Sequence, residues 1–375
     1  EVHVLALDPP TKPSLWHMAD LGSQARWHRV DIRDAAAVQI VIDEVQADAV
    51  MHLAAQALVR ASYDDPMLTV QTNVMGTVNL LQGIHRLGRA CAVLIVTTDK
   101  VYQQREWVHG YRENDALGGL DLYSASKAAA ELLTAAWRDA FLHPDKILDH
   151  GIAIATVRAG NVIGPGDFTP SRLVPHVLSE LIAHRTVELR SPDSIRPWQH
   201  VLEPLAGYLT LTAALLPDAP DRAAHCTAYN LGPWSTNART VREVVQVLSQ
   251  ALDRPCTPTV ASADHRHEAG VLRLSIDKAI AHLPWRPVWD FEETIRRTAH
   301  GHRALLAAHS VTDALDVLDA DIQSYTLAAR CHRPALSTGE PDDLVHHVLQ
   351  KLPQSNALAC PRPGDDPVGQ PRAPA

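Results

Sequence analysis

The chain has no apolar run long enough to cross a membrane. Its longest apolar stretches, such as residues 92–96, are far shorter than the roughly 18 residues that a membrane helix requires. The first residues also lack the charged and apolar regions that make up a signal peptide. We therefore predict no transmembrane span and no membrane partner, and these absences favour a cytoplasmic location.

Paired cysteines and excess positive charge are also lacking. The five cysteines are scattered, and neither they nor the 21 histidines show the close spacing of a zinc site or a disulfide framework. We expect no metal, and the cysteine usage favours a reducing compartment. A net charge of −9 provides no general attraction to phosphate backbones, so nucleic acid is not an expected partner.

What the chain does have is the composition of a globular protein. Hydrophobic residues make up 46% and charged residues 21% of its 375 residues, a length that suggests two packed units. Short apolar strands alternate with amphipathic helices, which predicts a parallel sheet covered on both faces in a doubly wound α/β (Rossmann-type) fold. The strands are predicted at residues 1–7, 49–54, 91–98 and 152–157, and the helices at 35–45, 67–87 and 124–141.

This pattern changes after Gly164, where prolines cluster. We predict that residues 1–165 form the doubly wound domain, with a later return to it near 200–233. A smaller C-terminal lobe is predicted over residues 166–199 and 234–330, with helices at 173–183 and 240–252. Thr240 and Glu243 have the spacing of a capping box at the start of the second helix. Residues 331–375 are rich in proline, histidine and small residues and are predicted to be a disordered tail.

Two short motifs have chemical potential. Strand 91–98 ends in Thr97-Thr98-Asp99-Lys100, at the edge of the sheet where open α/β proteins bind ligands. Tyr123 and Lys127 lie four residues apart at the start of the next helix, so their side chains share one face. A nearby ammonium group is expected to lower the pKa of the phenol, and the pair can then accept a proton from a sugar hydroxyl. The alternative is a surface tyrosine beside a solvated lysine, but the position after the strand favours the chemical interpretation.

Longer segments resemble a known family. Residues 31–32, 52–56, 73–77, 97–100 and 123–127 follow the order found in the extended short-chain dehydrogenase/reductases that act on nucleotide sugars. The similarity extends from residue 1 to about residue 330 and is greatest to the branch of this family that dehydrates CDP-glucose. The segments that carry this narrower resemblance are 106–107, 110–114, 158–164, 196–204 and 267–269. One departure is Gly164-Pro165-Gly166-Asp167-Phe168, where the family has Gly-Gly-Gly-Asp-Trp beside the substrate.

The resemblance implies NAD as cofactor, a nucleotide sugar as substrate and a set of catalytic residues. Tyr123, tuned by Lys127, would take the proton of the sugar 4-hydroxyl while Thr98 hydrogen-bonds the same oxygen. The resulting 4-ketone acidifies the C5 proton, and Asp99 would protonate the departing 6-hydroxyl. For Lys100 two roles remain open, the base at C5 or a group that positions the substrate, because a lysine acts as a base only when its pKa is lowered.

Binding residues are implied in the same way. Asp31 and Ile32 would meet the adenine of NAD, and Leu53, Ala54 and Ala55 would let the backbone approach the cofactor near Tyr123 and Lys127. The alternative for these residues is a plain strand end and core. The nucleotide diphosphate would contact Asn161, Arg172, Arg196 and Asn230, with Arg196 as a bidentate donor. A homodimer through the helices at 67–87 and 124–141 is implied as well.

The expected function is therefore NAD-dependent dehydration of a nucleotide-glucose, with CDP-glucose as the leading substrate. Another nucleotide-sugar dehydratase or an epimerase is the alternative enzyme, although a simple 4-epimerase has no need of Asp99 and Lys100. A non-catalytic relic is the third possibility, because the family's first strand and glycine-rich phosphate-binding turn do not occur in these 375 residues. On that basis we expect this chain by itself to bind NAD weakly.

Overall fold

A computed structural model describes residues 1–105, 107–260 and 272–331 of the chain. Glu106, the segment 267–269 and the tail from residue 332 onward, all used in the sequence analysis, lie outside the described residues. Within the described ranges, no helix combines the length and the apolar character needed to cross a membrane.

The described residues form short strands and thirteen α-helices. The strands are β1 (His3–Leu5), β2 (Arg26–His28), β3 (Ala49–His52), β4 (Cys91–Val96), β5 (Ile152–Arg158), β6 (Val162–Ile163), β7 (Glu188–Leu189), β8 (Ile195–Pro197), β9 (Gln199–His200), β10 (Ala228–Asn230), β11 (Ala238–Thr240) and β12 (Thr259–Val260). The helices are α1 (Leu15–Met18), α2 (Ala35–Val45), α3 (Val59–Asp64), α4 (Pro66–Val70), α5 (Gly76–Arg86), α6 (Leu122–Phe141), α7 (Ile147–His150), α8 (Leu173–Ile182), α9 (Leu202–Leu215), α10 (Val241–Ala251), α11 (Asp277–His282), α12 (Phe291–Ala307) and α13 (Val311–Cys331).

The central sheet has four parallel strands in the order β10–β5–β4–β3. Leu94 of β4 lies opposite Met51 of β3 and Ala155 of β5, so the carboxyl ends of these strands lie along one edge. A separate parallel pair joins β1 to β2. The sheet confirms the predicted doubly wound fold, and β10 pairs with β5 at its edge.

Helices cover both faces of this sheet because alternate residues of each strand point in opposite directions. On β4, Leu94 packs with α9 in one core cluster, whereas Val93 and Ile95 pack with α2 and α5 in another. All of β5 is buried, as a strand between two helical layers requires. This double covering fixes the orientation of the segment that follows β4.

The helix predicted over residues 67–87 is interrupted in the structure. It consists of α4, a π-helical turn at Gln71–Met75 and α5. In the π-turn, the Asn73 side chain reaches the loop that follows β3. Its Oδ1 accepts a hydrogen bond from the Gln56 backbone N–H at 2.8 Å. Its Nδ2 donates to the Ser126 hydroxyl of α6 at 2.9 Å. Single π-turns of this kind are frequent near functional sites.

A second cluster of elements follows the central sheet. Helices α8, α10 and α12 share a hydrophobic core, and β8 pairs with β11 in antiparallel fashion. Helix α10 begins with the predicted capping box, in which the Glu243 backbone N–H donates to the Thr240 hydroxyl at 3.2 Å and the Glu243 carboxylate accepts from the Thr240 backbone N–H at 2.7 Å. This cluster faces the carboxyl ends of the central strands across a cleft.

Candidate active site

A cleft of about 520 Å³ separates the loops after β4 and β5 from the second cluster of elements. Four predicted site residues line it: Lys100, Asn161, Arg172 and Arg196. Asp121 and Ser124, at the start of α6, line the same cleft. The structure therefore brings residues from distant parts of the chain to one place beside the start of the catalytic helix predicted from the sequence.

The segment after β4 places a carboxylate and an ammonium group side by side. Thr98 begins a 3-10 turn, and its hydroxyl donates to Asp99 Oδ1 at 3.1 Å. The Lys100 Nζ donates to the same oxygen at 3.4 Å. Asp99 is fully buried, whereas Lys100 reaches the cleft. Among the described residues, the buried Asp99 Oδ2 has no hydrogen-bond partner.

Gly160 sets the position of this carboxylate. The residue follows β5, and a Cβ atom added to it would overlap the carboxyl carbon and both oxygens of Asp99. The Asp99 backbone N–H donates to the Ala159 carbonyl at 3.2 Å, which holds the two segments together. Asp99 therefore owes its buried position to the missing side chain at residue 160.

Tyr123 is buried in the first turn of α6. The turn is fixed by Asp121, which caps the helix by accepting from the Ser124 backbone N–H at 2.9 Å and from its hydroxyl at 2.6 Å. Burial raises the pKa of Tyr123, and the charge of Lys100 and a hydrogen bond with Thr98 oppose this rise.

The pKa of Tyr123 is therefore raised overall, whereas the sequence predicted a lowered pKa. The reason is that desolvation of the phenolate outweighs the nearby charges. Lys100 is the largest charge that favours the phenolate. Lys127 is instead held against the sheet, where its Nζ donates to the Val96 carbonyl at 3.1 Å.

Lys127 is itself buried, and burial lowers its pKa to about 8, while the charge of Glu131 works in the opposite direction. Its charge also contributes, after burial, to lowering the pKa of His52 to about 3. His52 is therefore neutral at physiological pH, and its Nε2 lies 3.1 Å from the Thr77 hydroxyl.

A buried ion pair beneath these residues was not found by sequence reasoning. Glu131 accepts from the Thr97 hydroxyl at 2.5 Å and, on its other oxygen, from Arg158 at 3.0 Å. Arg158 also donates to the Tyr102 hydroxyl at 2.9 Å. The one signal in the sequence is the position of Glu131, four residues after Lys127 on the same helix face.

The residues predicted to meet the adenine have different environments. Asp31 borders a second hollow, but both of its oxygens accept hydrogen bonds from Arg33, which lowers the pKa of Asp31. The Ile32 side chain is buried in the core beside Gly76, which corresponds to the plain-core alternative. Leu53 is exposed after β3, and Ala54 and Ala55 are partly buried beside it.

Three of the predicted substrate residues border the cleft. Asn161 has a positive φ of 50°, and among the described residues its buried Oδ1 has no hydrogen-bond partner. Arg172 precedes α8 and lies 3.4 Å from Asp167. Arg196 is buried on β8, where its guanidinium donates to the Ile195 carbonyl at 2.9 Å.

Asn230 does not fit the predicted role. It is fully buried and does not line the cleft. Its Oδ1 accepts from the Tyr102 hydroxyl at 2.6 Å, and its Nδ2 donates to the carbonyls of Tyr111 and Ser275 at 2.9 and 3.0 Å. Because the protein itself uses both ends of the amide, the structure assigns Asn230 to holding the strand end rather than to binding a substrate.

The described ranges contain no cluster of three or more histidine, cysteine or acidic residues that could hold a metal ion. The polar side chains that line the cleft are instead hydroxyl, amide, imidazole, ammonium and guanidinium groups, together with the carboxylates of Asp121 and Glu188. This set suits an anionic, hydroxyl-rich ligand and proton transfer.

Solved structures share this architecture. The UDP-glucose 4-epimerase of Thermus thermophilus, in complex with NAD, aligns with a TM-score of 0.64 at 23% identity and covers 80% of this chain and 99% of its own. The dTDP-glucose 4,6-dehydratase DesIV of Streptomyces venezuelae, with NAD bound, aligns with a TM-score of 0.66 at 24% identity over 81% of this chain and 87% of its own. The fold is thus that of the Rossmann-type nucleotide-sugar epimerases and dehydratases.

Sequence comparison identifies the family within this fold. Residues 12–298 match the family of GDP-mannose 4,6 dehydratase, and the chain belongs to this family. It is 42% identical over 299 residues to the CDP-glucose 4,6-dehydratase of Salmonella typhimurium, covering 80% of this chain and 82% of that protein. It is 31% identical over 277 residues to the dTDP-glucose 4,6-dehydratase of Streptomyces antibioticus, covering 73% of this chain and 75% of that protein. The family resemblance found in the sequence is confirmed.

Proposed function

We propose that the protein is an NAD-dependent nucleotide-glucose 4,6-dehydratase whose substrate is CDP-glucose. The observation that carries this proposal is the buried Asp99 carboxylate, which contacts Thr98 and Lys100 beside Tyr123. An epimerization at C4 needs one acid–base group, whereas loss of water also needs a base at C5 and an acid at O6. The relative at 42% identity supports CDP-glucose as the particular substrate.

The residues present fit NAD. The loop after β3 carries small side chains at Ala54 and Ala55, which permit a close approach of a ligand to the backbone. The ammonium group of Lys127, on α6, lies at the carboxyl end of β4. Asp31 borders a hollow beyond β2. We infer that these residues hold the cofactor from its nicotinamide to its adenine end. When bound, NAD would supply the hydride acceptor for C4 of the sugar and the hydride donor for C6.

In the first half of the reaction, Tyr123 takes the proton of the sugar 4-hydroxyl. Tyr123 must be a phenolate to do this, so its own phenol proton is first lost to solvent. Because burial makes the phenol a weak acid, the positive charge of Lys100 and the hydrogen bond with Thr98 are needed to stabilise that phenolate. The Thr98 hydroxyl orients the same sugar oxygen. Arg172 and Arg196, on the far wall of the cleft, bind the diphosphate and fix the sugar against Tyr123.

In the second half, Asp99 and Lys100 act as a pair. The Lys100 Nζ and Asp99 Oδ1 lie 3.4 Å apart, close enough for a proton to pass from the ammonium to the carboxylate. The neutral amine then takes the proton from C5, and the carboxylic acid gives its proton to the departing 6-hydroxyl, which leaves as water. The pair ends as ammonium and carboxylate, as it began. Lys100 is thus the base. When the hydride reaches C6, the Lys100 ammonium returns its proton to C5, and the proton that Tyr123 took from the 4-hydroxyl passes to the lysine, so all protons are accounted for.

Changing Asp99 to Asn should stall the reaction after oxidation. The amide keeps the shape of the buried side chain but cannot protonate O6, and oxidation at C4 does not need that proton. We expect reduced cofactor to build up on the enzyme, measured by its near-ultraviolet absorbance, with little deoxysugar product.

The matched control for this substitution is Asp193→Asn, which alters an exposed carboxylate paired with Arg242 and should turn over normally. Normal turnover of Asp99→Asn without accumulation of reduced cofactor would make Asp99 a structural residue.

The substrate is tested by incubating the protein with NAD and CDP-, dTDP-, UDP- or GDP-glucose in parallel. The 4-keto-6-deoxy product should form fastest from CDP-glucose. A preference for another nucleotide would correct the substrate, and a C4 epimer without loss of water would contradict the dehydratase function. Binding without turnover of any of the four would favour a non-catalytic relic.

We also propose a homodimer that packs through α4, α5 and α6. Large apolar side chains are exposed on these helices, with Met67, Leu132 and Phe141 at 63%, 58% and 55%. Leu132→Glu should convert the dimer to a monomer in sedimentation velocity, because it would bury a charge in the interface. Leu148→Glu, on the exposed helix α7, is the control and should leave the mass unchanged. A monomeric wild-type protein would refute the dimer.

A cytoplasmic location completes the proposal. Its support is that the proposed cofactor and substrates are metabolites of the cell interior. The thiols of Cys91, Cys226 and Cys256 are free, whereas Cys331 is disulfide-bonded.

A further inference from the structure

Glu131 is a residue of α6, the helix that also carries Tyr123 and Lys127. It follows Lys127 by four residues on α6, so the two side chains lie one above the other on that helix. Both are buried. They also meet the same strand end, because the Lys127 Nζ donates to the Val96 carbonyl at 3.1 Å and the Thr97 hydroxyl donates to Glu131 Oε1 at 2.5 Å. Lys127 is thus bonded to Val96, and Glu131 is bonded to the next residue, Thr97.

The other oxygen of Glu131 is equally fixed. Its Oε2 accepts from the Thr156 hydroxyl at 2.7 Å and from Arg158 at 3.0 Å, both on β5. Three donors, two from β5 and one from the segment after β4, therefore hold one carboxylate in a single position. A group this well fixed can act on the site through its charge without touching a substrate.

We propose that Glu131 is a positioning residue that keeps Lys127 in its protonated form at neutral pH, so that the ammonium group can hold the cofactor beside Tyr123. The inference rests on the proposed function, because it gives Lys127 a role only within that chemistry. Glu131 itself donates and accepts no proton in the reaction.

The electrostatic balance at Lys127 explains why a partner is needed. Burial alone disfavours an ammonium group, and it lowers the pKa of Lys127 to about 8 even with Glu131 in place. A fall of one further unit would leave about half of the lysine neutral at pH 7. Glu131 is the charge that opposes the effect of burial.

The remaining titratable groups around Lys127 do not replace Glu131. Arg158 on β5 is a cation and would disfavour a second one. His52 on β3 has its pKa lowered to about 3 and stays neutral. Tyr123, on the same helix face, has a raised pKa and is neutral at pH 7. Asp99 is a buried carboxylate beside Tyr123, and Lys100 already pairs with it.

The test measures where Lys127 titrates, without any ligand. The unfolding free energy of a protein with Lys127 is compared with that of its Lys127→Met partner from pH 6 to 10. A lysine whose folded pKa is lowered costs stability at low pH, and this cost disappears as pH rises from the folded toward the unfolded pKa. With Glu131 present, the difference should begin to change near pH 8. In Glu131→Gln, the change should begin at least about one pH unit lower, a tenfold weaker hold on the proton.

Two further variants separate charge from structure. Arg158→Gln breaks the same ion pair from the other side but keeps the carboxylate, so the Lys127 titration should stay in place or move to higher pH. If Glu131→Gln does not fold, the double variant Glu131→Gln/Arg158→Met removes both charges and leaves neither one buried alone. That double variant should show the same shift to lower pH as the single one.

A second measurement connects the titration to function. The alkaline limb of NAD affinity and of kcat/KM should move to lower pH in Glu131→Gln, and Glu131→Asp should restore part of it. The proposal would be overturned if Glu131→Gln and Arg158→Gln lost equal NAD affinity and kcat/KM at every pH while the Lys127 titration stayed in place. Glu131 would then have a purely structural role. Failure of the wild-type protein to dehydrate any nucleotide-glucose would refute the proposed function alone, since the ligand-free titration is unaffected.

Discussion

Tyr123→Phe should reduce kcat by about a hundred- to ten-thousandfold, the usual contribution of a positioned general base. The substitution removes one hydroxyl from the first turn of α6. The ring remains buried, and the Asp121 cap that starts the helix is unaffected. We therefore expect the melting temperature and the affinity for the nucleotide sugar to change little. Single-turnover measurement of C4 oxidation gives the most direct result, because it isolates the step that needs the base.

The comparison variant is Thr98→Val, which keeps the shape of a β-branched side chain and removes its hydroxyl. Thr98 hydrogen-bonds Asp99 Oδ1 at 3.1 Å and favours the Tyr123 phenolate without accepting the sugar proton. Its loss should slow oxidation by a smaller factor than loss of the tyrosine. If Thr98→Val were as damaging as Tyr123→Phe, or if Tyr123→Phe retained more than about a hundredth of the activity, the base would have to be another group.

The regular parts of the fold follow from local pattern. Helix α2 has the predicted bounds, since Asp34 caps it and its apolar spacing is uninterrupted. Strands β3 and β4 end two residues earlier than predicted, because residues 53–54 and 97–98 leave the sheet to form the site. The π-turn at Gln71–Met75 could not be predicted from the sequence. Its cause is tertiary, since Asn73 bonds to Gln56 and Ser126, and neither contact alters the apolar spacing of the segment.

The site is predictable where neighbours in sequence are neighbours in space. Thr98, Asp99 and Lys100 are of this kind, since they follow one strand. Properties that depend on the surroundings were not predictable. The raised pKa of Tyr123 comes from its burial, which the spacing to Lys127 does not reveal. The polar partners of Asn230 come from segments far away in the chain, so a buried structural amide looked like a ligand.

The position of Asp99 leads to the second large effect, that of Gly160→Ala. An added methyl group would overlap the Asp99 carboxyl, and the neighbouring backbone is fixed by the Asp99–Ala159 hydrogen bond. Because Asp99 is fully buried, its carboxylate has little room to turn aside. Overpacking a buried position costs about 1–3 kcal/mol, so the melting temperature should fall. The displaced carboxylate would also draw Lys100 away, and dehydration should fall by about a hundredfold or more, the value of a lost acid or base.

A double-variant cycle separates the two consequences of Gly160→Ala. Asp99→Ala removes the carboxyl group that the new methyl would meet, so Gly160→Ala should cost less stability in that background than in the wild type, a non-additivity expected of residues in contact. Activity should remain lost in the double variant, because the acid is gone. Gly232→Ala is the matched control, since a Cβ there meets only ordinary contacts of 3.5 Å or more. Wild-type stability and turnover in Gly160→Ala would show that Asp99 can leave its buried position without consequence, and would remove it from the dehydration step.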